Sequence, residues 1–267
     1  MVRITVIIPT KNRNEDLHRC LSGLNDNDLH LLEEVIIVDD GSTPSLDLEN
    51  IWPNLKINII RNNISQGAAN SRNTAGSLVK TDIIAFLDDD AVPIPNWLSI
   101  ISRELSESRG AITGRVIGYD HGIVSKARQA RYDNRYAQLI DGQKIPFFAG
   151  GNSAVWTKLF LKVGGFTQKG SGGDNGLATD LSYIGYNVHF IPDLIILHRN
   201  SKGLLRAIIE AYNSGLQQKH LKGVLEFIKL IVPIHSNAAG NNFLVCLFNW
   251  SLNVIHQFGR LQKTFKK

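Results

Sequence analysis

The run Thr81-Asp82-Ile83-Ile84-Ala85-Phe86-Leu87-Asp88-Asp89-Asp90 constrains this chain more than any other stretch, because it sets a continuous apolar segment directly against three carboxylates. A short uninterrupted apolar run suits a strand covered on both faces, whereas three acids have no place in that interior. The acids therefore belong at the strand's carboxyl end. If extended geometry persists, Asp88 and Asp90 face one side and Asp89 the other. Two carboxylates on one side repel unless positive charge lies between them, and in an open α/β sheet ligands sit in the crevice beyond the strand ends. A divalent cation carrying an anionic ligand meets both conditions; a solvated turn after a core strand is the competing reading.

The preceding residues repeat a strand, loop and helix pattern. Ile4-Thr5-Val6-Ile7-Ile8 reads as a strand that ends at Pro9, since proline cannot donate to a central ladder. Thr10 to Asn14 form the next loop, and Leu17, Cys20, Leu21 and Leu24 recur at helical spacing, with Asn14 as the cap. Val35 to Val38 form a second strand, followed by Asp39-Asp40-Gly41-Ser42, a tight loop able to approach a ligand. Lys56 to Ile60 is a third strand. Ala68 to Leu78 is helical, and Arg72 and Asn73 near its start face either a ligand or solvent. Pro95-Asn96 opens a helix marked by Trp97, Leu98, Ile101 and Leu105. This grammar predicts a mostly parallel sheet flanked by helices, a Rossmann-like α/β fold.

Further along, Ala111 to Val116 reads as a strand. The polar stretch 120–141 is a surface helix or, through Tyr132, Arg135 and Tyr136, the wall of an acceptor groove. Gly150-Gly151 between aromatic flanks indicates close backbone packing, and Asn152 is placed to reach a cleft. Gly170, Gly172, Gly173 and Gly176 mark a loop, with Asp174 inside it ahead of a helix at Leu177 to Ile184. Val188 to Ile191 and Leu194 to Leu197 read as two strands around Pro192-Asp193, with His198 after the second.

Of the 267 residues 43% are apolar, enough for one substantial domain with a smaller appendage. The net charge of +5 is unevenly placed: residues 199–267 hold ten Lys and Arg against Glu210 and Glu226, while the body before them is mildly acidic. That argues against a body gripping nucleic acid and for a tail facing an anionic surface. Cys20 and Cys246 match no metal or redox spacing, so a reducing compartment is expected. Met1 leads straight into the first strand, and no run approaches the roughly 18 apolar residues of a membrane span. Leu204 to Ile209, Leu221 to Ile231 and the apolar stretch Phe243 to Ile255 read as helices of the tail.

Taken together, Val6-Ile7-Ile8-Pro9-Thr10, Val38-Asp39-Asp40-Gly41-Ser42, Asn63 through Gly67 to Arg72-Asn73, Leu87-Asp88-Asp89-Asp90, Gly150-Gly151-Asn152, Gly164-Gly165-Phe166, Gly173-Asp174, Gly185-Tyr186 and His198 resemble inverting glycosyltransferase family 2, with its GT-A fold. The resemblance spans about residues 3–198. It implies a nucleotide-sugar-binding and catalytic domain over 1–200 and a basic helical extension over 201–267. It also implies donor contacts at Pro9, Thr10, Arg13, Asp40, Arg72, Asp88, Asp89 and Asn152, with Thr10 and Asp40 lining the base pocket. Asp88 and Asp90 resemble the outer acids of the family's DxD motif and, with His198, would meet Mg²⁺ or Mn²⁺. Asp174 resembles the catalytic base. The family often has Glu-Asp at the base and an arginine six residues later; Gly173-Asp174 and Asp180 depart from that.

The implied reaction is metal-dependent inverting transfer of a sugar from a nucleotide-diphosphate sugar, UDP-sugar first and GDP- or dTDP-sugar next, to a saccharide, lipid-linked or small-molecule acceptor. Such chemistry serves polysaccharide, glycolipid or other glycoconjugate synthesis. A sugar-1-phosphate nucleotidyltransferase and a non-catalytic sugar-nucleotide or polysaccharide-binding module are the alternatives. The tail helices dock on an anionic membrane surface, cap the fold or form a homodimer contact. The expected location is cytoplasmic, peripheral at the cytoplasmic membrane if the tail docks.

Overall fold

The structure, a computed structural model, describes residues 2–48, 51–167, 173–201, 203–217, 221, 224–231 and 242–265. It divides into two compact units: Met1–Val116 with Leu139–Leu197, and Ile117–Gln138 with His198–Lys267. The segment 117–138 thus groups with the C-terminal helices, although 50 or more residues separate them along the chain.

The first unit is built on a mixed sheet. β1 (Ile4–Thr10) lies between β2 (Leu32–Asp39) and β4 (Ile83–Leu87), parallel to both, and β3 (Ile57–Arg61) adds in parallel outside β2. β8 (Asn152–Trp156) then pairs antiparallel with β4 and with β6 (Ala111–Gly118). Beyond β6 come β9 (Val188–His198) and the short β5 (Ala91–Pro93), and β7 (Lys144–Ile145) pairs antiparallel with β9. The apolar runs of β1, β2 and β4 are buried on both faces. Covering a Val, Ile or Phe side chain in this way contributes about 1.5–3 kcal/mol each, which is why these uninterrupted runs occupy the sheet's middle.

Helices α1 (Asn14–Asn25), α2 (Ala68–Gly76), α3 (Trp97–Glu104), α5 (Thr157–Val163) and α6 (Gly173–Tyr183) belong to this unit. In α1 the buried face is Leu17, Cys20, Leu21 and Leu24, the residues at helical spacing. Gly23 in its last turn has a packing reason: a Cβ there would lie 3.0 Å from the Pro93 carbonyl oxygen, so the glycine lets α1 close on β5.

Four local expectations change. β1 runs through Pro9 to Thr10, because the ladder with β4 ends at Ile7–Phe86 while the ladder with β2 continues to Thr10–Asp39. The Thr10 carbonyl accepts from Asp40 N on the β2 side, so the proline nitrogen faces the side where no partner is required. Asn14 is the first helical residue rather than a cap, and the flanking Arg13 makes no side-chain capping bond. β9 is one strand through Pro192. Asp174 lies in the first turn of α6, which begins at Gly173, not in a loop preceding a helix at Leu177.

In the second unit, α4 (Ile123–Tyr136), α7 (Leu204–Gln217) and α8 (Val224–Ile231) all contact α9 (Phe243–Phe265). Ala127, Ala130 and Val245 form a small core with Phe248 against it. Asn249 donates to the Ala127 carbonyl at 3.1 Å, and Asn253 to the Leu230 carbonyl at 3.0 Å, so the asparagines inside the apolar α9 tie it to its neighbours. Gly215 and Gly259 let α7 and α9 touch backbone to backbone, their Cα-to-Cβ approach being 3.3 Å if Gly259 carried a Cβ. Among the described residues no helix is long and apolar enough to cross a membrane.

Candidate functional site

Beyond the carboxyl ends of β1, β2 and β4 lie Arg13, Asp40 and Asp88 to Asp90, joined by Arg72 of α2. β4 stops at Leu87 and the chain turns at once, the Ala91 amide donating to the Asp88 carbonyl at 3.1 Å. Strand alternation therefore does not carry into the acids, and two arginines divide them. Asp89 and Asp90 share the Arg13 guanidinium, at 2.8 and 3.1 Å, while Asp88 pairs with Arg72. One arginine between two acids relieves the repulsion that their proximity would otherwise impose.

Asp89 is the most confined of the three. It is 4% exposed and accepts from Thr10 Oγ1 at 2.8 Å. Burial, with Asp90 adding to it, raises its pKa to about 6, although Arg13 and the Thr10 hydroxyl pull the other way. Against its own partial burial, Arg13 is held above the usual arginine range by Asp89 and Asp90. Asp88 differs: its side chain is 42% exposed. Gly151 packs against it, and a Cβ there would sit 2.6 Å from Asp88 Cγ.

Arg72 projects from α2 and is itself buried, with its Nε lacking a partner among the described residues. Its guanidinium lies 5.6 Å from the centre of the Phe166 ring. Phe166 belongs to a cluster with Phe86, Phe148 and Phe160, ring centres 5.1–5.9 Å apart. Asn73 fixes that ring's backbone by donating to the Phe166 carbonyl at 2.9 Å and accepting from its amide at 2.7 Å. The buried guanidinium thus meets an aromatic face on one side and a partly exposed carboxylate on the other.

Asp40 follows the end of β2, its amide bonded to the Thr10 carbonyl at 2.8 Å. Its Oδ1 accepts from Asn62 Nδ2 and the Gln66 amide, both at 2.8 Å, and its Oδ2 from Ser65 Oγ at 2.7 Å and the Gly67 amide at 2.9 Å. Burial would raise its pKa, yet these four donors hold it well below the usual carboxylate range. Four acceptor positions are all a carboxylate has, so its oxygens are committed to the chain's own loop. Pro9, also expected beside the donor, is buried in β1 next to Thr10.

One expected site residue, Asn152, serves the interior instead. Asn152 is fully buried and faces no cleft: it donates to the Arg115 and Leu194 carbonyls at 2.9 and 2.8 Å and accepts from Trp97 Nε1 at 2.8 Å. It joins the start of β8 to β6, β9 and α3, a role that corrects the cleft assignment. His198 falls in the second unit, buried, with Nδ1 3.0 Å from Asn200 Oδ1 and its ring 6.3 Å from Tyr132. The backbone of Asp174 begins α6 beside Gly173, whose Cβ position would be 3.9 Å from Ala69 of α2. The helix carrying Asp174 and the helix carrying Arg72 therefore start side by side. Asp180, where the family often has arginine, accepts from Thr167 Oγ1 at 2.7 Å. Among the described residues no three His, Cys, Asp or Glu side chains are grouped as a ready metal cluster.

Gly151, Phe166 and the Asn62–Ser65 pair are contributors that residue-type reasoning passes over. The double glycine before Asn152 is the one visible signal for the first of them. Phe166 and Ser65 are signalled only through the matched stretches Gly164-Gly165-Phe166 and Asn63 to Gly67, and Asn62 carries no signal of its own.

An acid-rich corner beyond parallel strand ends, lined with arginines and seated in a mixed sheet, lies where open α/β folds take their ligands. The model of glycosyl transferase family 2 matches residues 5–164, and the chain belongs to that family. Its sequence is 26% identical over 207 residues to a pre-mycofactocin glycosyltransferase of Mycobacterium tuberculosis, an alignment covering 73% of this chain and 42% of that protein. The chain thus spans about two fifths of the length of that relative. It is 23% identical over 234 residues to the GalNAc(5)-diNAcBac-PP-undecaprenol beta-1,3-glucosyltransferase of Campylobacter jejuni, covering 85% and 75% of the two chains. Its fold is similar to that of the mannosyltransferase PcManGT from Pyrobaculum calidifontis in complex with GDP-Man and Mn²⁺. The TM-score is 0.59 at 20% identity, over 99% of this chain and 73% of that one. The fold is the GT-A arrangement with a helical extension.

Proposed function

We propose that this chain transfers a sugar from a nucleotide-diphosphate sugar to an acceptor hydroxyl, inverting the anomeric carbon. The observation that carries the reading is the corner in which Thr10, Arg13 and Arg72 meet Asp88, Asp89 and Asp90, in a member of a glycosyltransferase family. Two arginines against three acids leave negative charge over, and the exposed Asp88 turns part of it to solvent. That balance fits a hard divalent ion, which takes one or two carboxylates and completes its shell with substrate phosphates and water. Asp88 and Asp90 would hold Mg²⁺ or Mn²⁺, which when bound stabilises the charge developing on the leaving diphosphate. The nucleotide sugar and Mn²⁺ of the Pyrobaculum complex support the same pairing.

Arg72, set against phenylalanine and short of one hydrogen-bond acceptor, orients an anionic group of the donor. Asp40 shapes the nucleotide pocket by fixing the loop that ends at Gly67. Asp174, carried by the helix that starts beside α2, removes the acceptor proton as the hydroxyl oxygen attacks the face opposite the leaving group; a single displacement inverts the centre. The undecaprenyl-linked acceptor in the name of the Campylobacter relative favours a lipid-linked acceptor here. Leu205, Leu225, Phe243 and Leu244 are exposed on the basic helical segment, which suits the surface of an anionic membrane.

A thermal-shift screen of UDP-, GDP- and dTDP-sugars with Mn²⁺ tests the reading. One donor at 100 times its Kd should stabilise the fold by about 2.7 kcal/mol, and chelation should remove the gain. Stabilisation by none of them, together with no transfer from any, would overturn it.

A further inference from the structure

The second unit contains a cavity of about 530 Å³ between α4, α7 and α9, and none of its lining residues belongs to the acidic corner. Each helix turns one face to it. α7 contributes Ala207, Ala211 and Ser214, at i, i+4 and i+7, small side chains where a packed helix pair would place leucine or isoleucine. α4 contributes Arg128 and Arg131 from one face, and α9 contributes Asn249 and His256 from its own.

The charge is lopsided. Neither arginine forms an ion pair among the described residues: Arg131 Nε donates to the neutral Asn249 Oδ1 at 2.9 Å, and Arg128 reaches the Asn200 carbonyl at 3.5 Å. The carboxylate of the lining, Glu210, pairs with Arg206 at 3.1 Å. Partial desolvation and the charge of Arg128 hold Arg131 below the usual arginine range. Burial, with Arg260 and Arg131 adding to it, lowers the pKa of His256, although its hydrogen bond with the Ala211 backbone pulls the other way. Two guanidinium forks with no carboxylate partner among the described residues present donors in the geometry that matches a phosphate. The volume is within the range of organic ligands and exceeds what a bare phosphate fills, and the alanine wall gives apolar surface to the remainder.

We propose that this cavity binds a phosphate ester, its phosphate between Arg128 and Arg131 and its organic part along Ala207 and Ala211. The assignment stands independently of the transfer reaction, because it concerns binding within the helical unit alone.

The test is calorimetric titration of the full chain with farnesyl phosphate, glucose 1-phosphate and inorganic phosphate, with saturating UDP and Mn²⁺ present to fill the nucleotide corner. At least one of the two esters should bind about ten-fold more tightly than inorganic phosphate or better. Preference for the farnesyl ester assigns the cavity to a lipid-borne phosphate, and preference for glucose 1-phosphate to a sugar phosphate. Arg128→Gln with Arg131→Gln should weaken the preferred ester at least about ten-fold. Ala211→Leu, which fills the cavity with apolar bulk, should block the ester while raising or preserving thermal stability. Neither ester binding above inorganic phosphate, or affinity unchanged in both variants, would overturn the proposal. Should the double-arginine variant fail to fold, ester affinity in Ala211→Leu decides between the two outcomes.

Discussion

Gly151→Ala isolates the geometry of the acidic corner. The backbone of Gly151 is not among the positive-φ glycines, so it accepts a side chain, but the added Cβ would lie 2.6 Å from Asp88 Cγ. Carbon atoms settle at about 3.5 Å or more, so the carboxylate must retreat by about 1 Å. Asp88 is 42% exposed and free to swing towards solvent, so what the fold loses is its ion pair with Arg72. A partly exposed pair is worth about 1 kcal/mol at most, and the expected fall in Tm is about 2–4 °C. The effect on transfer should be far larger: displacing a positioning group by about 1 Å costs on the order of 100-fold in rate. Thermal unfolding and sugar transfer measured on the same preparations give both numbers. A double-mutant cycle with Asp88→Ala supplies the decisive control, since with the carboxylate gone the new methyl meets only the Cβ of residue 88, at 3.2 Å, which a shift of a few tenths of an ångström relieves. Gly151→Ala should then cost less stability than it does beside Asp88. Wild-type transfer in the single variant, or an equal destabilisation on the Asp88→Ala background, would refute the steric argument.

Asn152→Ala should destabilise the fold by roughly 3–5 kcal/mol in urea denaturation, because Trp97 Nε1 and the Arg115 and Leu194 carbonyls lose their buried partner. A change below about 1 kcal/mol would return Asn152 to a ligand-facing role. The pKa of Asp89 lies above its unfolded value of 3.8, at about 6, so the folded state binds the extra proton. Its contribution to stability is full below about pH 4 and is lost as pH rises through about 6, a span of roughly 3 kcal/mol in the metal-free protein. Asp89→Asn should flatten that window in denaturation midpoints taken from pH 4 to 7, and a wild-type slope in the variant would exclude Asp89 as its source. Asp174→Asn should lower transfer by at least about 100-fold while nucleotide titration gives an affinity within about two-fold of wild type; unimpaired turnover would remove Asp174 from the mechanism.

The acidic corner is legible in the chain because three consecutive acids cannot continue the apolar strand Ile83 to Leu87, and a strand end is what remains. Its pairing is not legible: alternation presumes a strand that continues, and here the chain turns at Asp88. Asn152 misleads for a related reason. A polar residue after two glycines looks ligand-directed until its three buried partners, which come from distant stretches of sequence, are known. Pro192 reads as a break between two strands but is absorbed into β9. The short β5 and β7 have too few residues to show a period, and the antiparallel β8 hides behind its glycines. The grouping of 117–138 with the C-terminal helices is a tertiary fact with no local signature.

The four bonds that Asp40 receives make the tip of β2 and the turn after β3 a single rigid body. The shape of that turn is therefore templated from a side chain more than twenty positions upstream, by reach and not merely by sign. Lengthening the acid by one methylene, as in Asp40→Glu, keeps the charge yet throws all four contacts out of register, so tolerance at this position should track carbon count before it tracks ionisation.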